Sequence, residues 1–237
     1  MTKLSVNINK IALIRNARGS DYPHLLSIAR DIQRFGADGI TVHPRPDERH
    51  VKFTDCYDLK EVVNTEFNIE GYPNKRFMQM IKDVRPEQVT LVPDHPDALT
   101  SDNGWDTHIH NSLLQDIIAE LHAYGARVSL FLNPDNAMVE GAKKCNADRI
   151  ELYTGPYAHD YSVHAESAVQ LYAQAASYAQ SLDLAVNAGH DLNLSNLAYL
   201  KQHIPHLAEV SIGHALTVDA LYYGLQNTIQ MYKAKLV

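Results

Sequence analysis

Eight short apolar runs punctuate this chain, at residues 4–8, 39–42, 67–69, 88–92, 128–132, 150–152, 185–186 and 210–212. Each has the length and aliphatic content of a buried strand, and most intervals between them carry a helical period. Nearly every run ends in polar groups: Asn9, His43, Glu70, Asn133, Tyr153 with Thr154, Asn187 with His190, and Gly213 with His214. Eight strand–helix units predict a closed (β/α)8 TIM barrel, in α/β class, as a single domain over residues 1–237. A barrel's active site lies where its strands end, so these polar residues are expected to share one pocket.

Helix punctuation agrees with the strand count. Asp21-Tyr22-Pro23 predicts a helix running to about Phe35 and ended by Gly36. Thr54-Asp55 caps a short helix to Asn64, and Pro73-Asn74 precedes another that ends before Pro86. Asn111 starts a helix closed by Gly125, and Asn133-Pro134 reads as an N-cap with proline at the first helical position. An Ala-rich helix covers 165–181, and Thr217 caps a last helix running towards Lys235. Gly36-Ala37-Asp38, Gly125-Ala126-Arg127 and Asn146-Ala147-Asp148 repeat one pattern, a positive-φ helix stop feeding a strand. These short loops mark the barrel's bottom, whereas the longer polar loops 44–53 and 93–111 mark its functional rim. An open doubly wound sheet would want a glycine-rich turn after the first strand, and Asn9-Lys10-Ile11 stands there instead.

Composition narrows the class of function. The chain has 237 residues, near the roughly 250 typical of one barrel. Its formal charge of −7, from 28 acidic and 21 basic residues without a basic block, argues against nucleic acid as a partner. Small anions stay admissible, because arginines and helix N-termini bind them inside an acidic protein. Cys56 and Cys145, far apart and outside any CxxC spacing, read as reduced thiols. No signal peptide and no stretch of ~20 apolar residues is evident, so a cytoplasmic protein without membrane partners is expected.

Position selects among the polar residues. His43 ends a strand and leads into Arg45 and His50, pairing a group that titrates near neutrality with a fork of donors suited to phosphate. Glu70 ends a buried strand, where a carboxylate is either paired or put to use. Glu151 alternates with Tyr153 and is a weaker acid–base candidate facing the barrel. Val-Asn-Ala-Gly189-His190 and Ile-Gly213-His214 form a pair of Gly-His strand ends at strands seven and eight, where barrels frequently hold phosphate. The glycines are read as letting backbone N–H groups approach an anion. His108 and His110 resemble a metal pair but fall in a loop, and no metal is expected. His24, His122, His203 and His206 lie in or beside predicted helices and read as surface residues.

The strings VNINKIALIRNARG, ADGITVHPRPDERH, FNIE, LVP, VSLFL, IELYTG, VNAGH and IGHA, in that order, resemble the pyridoxine 5′-phosphate synthase family from Val6 to the last helix. That resemblance implies a cofactor-independent barrel enzyme of vitamin B6 synthesis. Its reaction condenses 1-deoxy-D-xylulose 5-phosphate with 3-amino-2-oxopropyl phosphate to pyridoxine 5′-phosphate, phosphate and water. It further implies His43 and Glu70 as proton acceptors and His190 as proton donor. Asn7, Arg18, Gly213, His214 and residue 191 would hold the amino-ketone phosphate; Arg45, His50 and Thr100 would hold the deoxyxylulose phosphate. The resemblance also suggests a homo-oligomer, an octamer built from dimers. Two stretches depart from the family pattern, which often has Asn-Ile-Asp-His where Asn7-Ile8-Asn9-Lys10 stands, and glycine where Asp191 stands. Two other readings stay open: a different sugar-phosphate barrel enzyme such as an isomerase or aldolase, or a non-catalytic phosphometabolite-binding barrel. The first would want a Schiff-base lysine or metal cluster, and no lysine ends strands two to eight. The second is favoured only by the departures.

Overall fold

The computed structural model describes residues 1–93, 101–204 and 206–237. Its strands are β1 Lys3–Asn7, β2 Gly39–Val42, β3 Glu66–Gly71, β4 Gln88–Leu91, β5 Arg127–Leu132, β6 Arg149–Tyr153, β7 Ala185–Gly189 and β8 Leu207–Ile212. Each pairs in parallel with the next, and β8 closes onto β1 through the register Leu4–Val210 and Val6–Ile212. Helices α1 Asn9–Arg18, α2 Leu25–Arg34, α3 Phe53–Lys60, α4 Lys75–Val84 and α5 Asn111–Ala123 surround the first half. Helices α6 Asn136–Lys144, α7 Gly155–Ser181, α8 Leu197–His203, α9 His214–Tyr223 and α10 Leu225–Ala234 surround the second. The (β/α)8 barrel expected from the apolar runs is therefore the fold. Among the described residues no helix is long and apolar enough to cross a membrane.

Strand alternation sorts the core into two layers. Leu4, Val6, Ile40, Val42, Ile69, Val89, Leu130 and Ile150 are buried with apolar helix residues such as Ala12, Ile32 and Leu121. The alternate positions are buried but polar, and they bond to one another across the barrel. Ser5 Oγ lies 2.7 Å from Thr41 Oγ1, Thr90 donates to Asn68 Oδ1 at 3.1 Å, and Gln88 Nε2 donates to Glu209 Oε1 at 3.2 Å. At the bottom, Arg127 and Lys3 pair with Glu66, while Arg149 lies 3.7 Å from Glu209. Burial, then the charge of Glu66, pushes the Glu209 carboxyl up to about 8. This plug closes the lower end and leaves the upper end for ligands.

The three predicted helix stops behave as expected. Gly36, Gly125 and Asn146 have φ of 96°, 87° and 64°. The following alanines donate back to Ile32, Leu121 and Ala142 at 3.2 Å, the bond pattern of a left-handed helix end.

Several helix starts differ from expectation. His24, not Asp21, caps α2, accepting from Ser27 N–H at 3.3 Å. Asp135, not Asn133, caps α6, accepting from Ala137 N–H at 2.7 Å. Helix α3 begins after Lys52, and Asp55 serves it from inside the first turn. The long α7 starts at Gly155 and breaks at His164, whose φ of −146° is not helical, so the Ala-rich stretch is its second part. The C-terminal helix is two helices separated by Gly224 at φ 76°, and Thr217 bonds back to Gly213 O within α9 instead of capping. Helices α1 and α8 had no counterpart in the helix signals.

Candidate active site

A cavity of about 640 Å³ opens at the upper end of the barrel. Asn7, Asn9, Lys10, His43, Arg45, His50, Glu70, Glu151, His190, Asp191, Gly213 and His214 all line it. Strand ends β1, β2, β3, β6, β7 and β8 thus converge, as the barrel topology requires. Arg18 is not among the lining residues; it is exposed at the last turn of α1. Thr100 lies outside the described residues. The lining also includes Arg49, Ser101, Phe131 and Ser211, which sequence reasoning did not single out. Arg49 lay in the charged loop after β2, and that loop was its only signal.

The acid–base groups occupy distinct environments. His43 is buried, its backbone N–H donates to Asn9 Oδ1 at 3.0 Å, and its Nδ1 lies 3.8 Å from Glu70 Oε2. Burial first, then the positive field of Arg45 and neighbours, pushes its basicity well below that of free imidazole. A neutral imidazole beside a carboxylate is equipped to accept protons. Glu151, 4% exposed, is pushed the other way: burial and then the charge of Glu70 raise its carboxyl well above the usual range. It stands as a neutral acid next to Glu70, a division of labour that a pair of like groups enforces. Gly189 makes room for it, because a Cβ there would meet Glu151 Oε1 at 2.5 Å. The glycine of β7 therefore leaves space for a carboxyl group on the neighbouring strand.

Two sets of donors flank these groups. On one side, burial and then Arg45, Arg49 and Lys10 lower His50 to about 4. His50 Nδ1 accepts from Val51 N–H at 2.9 Å, so the neutral ring carries its proton on Nε2 and offers one donor. Helix α1 secures this loop from outside. Arg15 forks onto Asp55 at 2.7 and 2.8 Å and reaches His50 O at 3.3 Å, and Asn16 Nδ2 donates to His50 O at 2.7 Å. Arg15 thus bears on the site through the loop, while Arg18, exposed in the last turn of α1, lies outside the cavity lining. On the other side, α9 begins at His214 directly after Gly213. A Cβ on Gly213 would sit 3.1 Å from Asn7 Cβ, so glycine lets β8 pass close to β1. Ala215 at the start of α9 and Lys10 at the start of α1 line the cavity. The first N–H of α1, that of Asn9, donates to Asn7 Oδ1 at 3.0 Å, whereas a helix start such as that of α9 suits an anion.

His108 and His110 lie away from this cavity; His110 packs edge-on against Trp105 at 5.3 Å. Among the described residues no group of three His, Cys, Asp or Glu side chains could hold a metal ion. Cys56 and Cys145 are both buried and unbridged.

Known proteins match this chain over its whole length. The family model described as "Pyridoxal phosphate biosynthesis protein PdxJ" covers residues 4–237. A pyridoxine 5′-phosphate synthase of Cytophaga hutchinsonii is 59% identical, covering 100% of this chain and 99% of the relative. The pyridoxine 5′-phosphate synthase of Porphyromonas gingivalis is 55% identical, with 100% and 99% covered. Among solved structures, phosphoribosylanthranilate isomerase of Thermotoga maritima superposes with a TM-score of 0.63 at 11% identity, covering 100% of this chain and 98% of that one. Tryptophan synthase of M. tuberculosis gives 0.67 at 12% identity, with 100% and 94% covered. The structural likenesses show the barrel alone, whereas full-length identities above half show descent. The chain belongs to the PdxJ family of pyridoxine 5′-phosphate synthases.

Proposed function

We propose that this chain condenses 1-deoxy-D-xylulose 5-phosphate with 3-amino-2-oxopropyl phosphate to give pyridoxine 5′-phosphate, phosphate and water. The observation that carries this reading is a single cavity of about 640 Å³ that holds acid–base side chains from four strands between two groups of anion donors. An amine must attack a ketone, water and phosphate must leave, and a carbon–carbon bond must close the ring before it becomes aromatic. Each step moves protons, and no net oxidation or reduction accompanies them. Neutral His43 and Glu70 are suited to accept protons, His190 to donate them, and the neutral acid Glu151 to hydrogen-bond an oxygen as charge develops on it. Asn7, Gly213, His214, the backbone N–H of residue 191 and the start of α9 suit one phosphate; Arg45, with the Nε2 donor of His50, suits the other. Lys10 and Asn9 sit between β1 and the cavity, where they adjust the local field. Holding two substrates side by side replaces a chance encounter with an oriented one, a gain of roughly 7–11 kcal/mol in favourable cases.

His190→Ala and Glu70→Gln, each purified and checked for native circular dichroism, are expected to lose turnover by roughly 10²–10⁴-fold, the usual contribution of a general acid or base. Product formation at near wild-type rates in either variant removes that residue from the mechanism.

A further inference from the structure

The segment that leaves β7 is held in an uncommon conformation. His190 and Asp191 have φ of 92° and 57°, and consecutive non-glycine residues in this region persist only where their surroundings impose it. Here each carbonyl is taken. Buried Thr154 donates its N–H to Gly189 O at 3.0 Å, and its hydroxyl lies 2.7 Å from Gly189 O and 2.6 Å from His190 O. Buried Asn196 donates through Nδ2 to Asp191 O at 3.2 Å.

This backbone has a chemical result. In an extended strand adjacent side chains leave on opposite faces, but two left-handed residues bring them together, and His190 Nδ1 lies 3.1 Å from Asp191 Oδ2. An ionised carboxylate only accepts, so the proton in this bond belongs to Nδ1. The bond to His190, against the opposing effect of burial and with His214 and Lys10 nearby, holds the Asp191 carboxyl below its usual range. Tyr153 fixes the ring from the side, edge-on at 5.1 Å.

We propose that Asp191 is a positioning residue for His190: its carboxylate keeps the Nδ1 proton in place and aims the imidazole so that proton exchange with substrate runs through Nε2. In the donating step the Nε2–H bond breaks, its electron pair stays on nitrogen, and the proton passes to the substrate while Nδ1–H remains bound to Asp191. This rests on the reading of His190 as proton donor, and it assigns to the Asp191 side chain a role separate from its backbone N–H.

The test uses the full chain labelled with 15N-histidine, with the His190 signals identified by their loss in His190→Gln. Asp191→Gly is the informative variant, because glycine keeps a left-handed backbone without strain while the carboxylate goes. In the wild type the neutral His190 ring is expected as the Nδ1–H tautomer, and in Asp191→Gly its population moves to Nε2–H. In the same variant kcat falls about tenfold with KM for either phosphate substrate nearly unchanged, the signature of an interaction used in the transition state. An unmoved tautomer overturns the proposal, as does a changed KM with unchanged kcat, which would make Asp191 a charge at a phosphate site. A tautomer shift in a chain that makes no pyridoxine 5′-phosphate supports the pairing and overturns the reaction assigned to it instead.

Discussion

The imidazoles of this site show how position, not residue type, decides chemistry. His43 and His50 stay neutral because each is buried beside arginines. His190 is held between an aspartate and a tyrosine ring. An NMR titration is expected to keep His50 neutral until pH falls to about 4, well below the usual 6.5. Burial is the main cause and Arg45 the next, so Arg45→Met should move the midpoint upward, since removing a positive neighbour makes protonation easier. A midpoint near 6.5 in the wild type would show that the loop is more open than described. His43, Glu70, His190 and His214 were legible in the sequence because each stands at the end of an apolar run. The use of Gly189 was not, because the need for glycine comes from Glu151, a residue on the neighbouring strand.

Among the elements, α1 was invisible to hydrophobic patterning for a physical reason. Its buried face carries Arg15 beside Ile11 and Ala12, while Leu13 and Ile14 are 42% and 50% exposed, so apolar positions fall on both faces and blur the period. What holds α1 in register is a buried ion pair and the loop carbonyls it reaches. Arg15→Leu leaves Asp55 buried without its charge partner and is expected to destabilise the protein by about 3–5 kcal/mol. Adding Asp55→Leu should recover much of that loss, as removal of both charges of a buried pair often does. Denaturant unfolding of the two variants measures it; a single variant as stable as wild type would show that the pair contributes nothing. Helix α8 was missed for a simpler reason, since its seven residues barely complete two turns. The helix stops, by contrast, were legible, because left-handed glycine and asparagine leave a local signature.

Across the whole molecule, the barrel divides stability from function along its axis. Glu66, Arg127, Arg149 and Glu209 close the lower end, polar side chains bond across the middle, and the acid–base groups and anion donors occupy the upper end. The eight runs foretold the closed sheet, since each strand is short, apolar and followed by a helix. They did not foretell the polar interior, because buried serines, threonines and asparagines on alternate positions read as breaks in a run. The cavity's lining of basic and hydrogen-bond-donating residues around His43, Glu70, Glu151 and His190 suits a reaction of two phosphorylated substrates. The most direct measurement mixes the wild-type chain with 1-deoxy-D-xylulose 5-phosphate and 3-amino-2-oxopropyl phosphate, following pyridine absorbance and released phosphate together. The account predicts that both rise in equal amounts and that neither rises when one substrate is withheld. A folded chain that yields no pyridine, or that releases phosphate from one substrate alone, would contradict it.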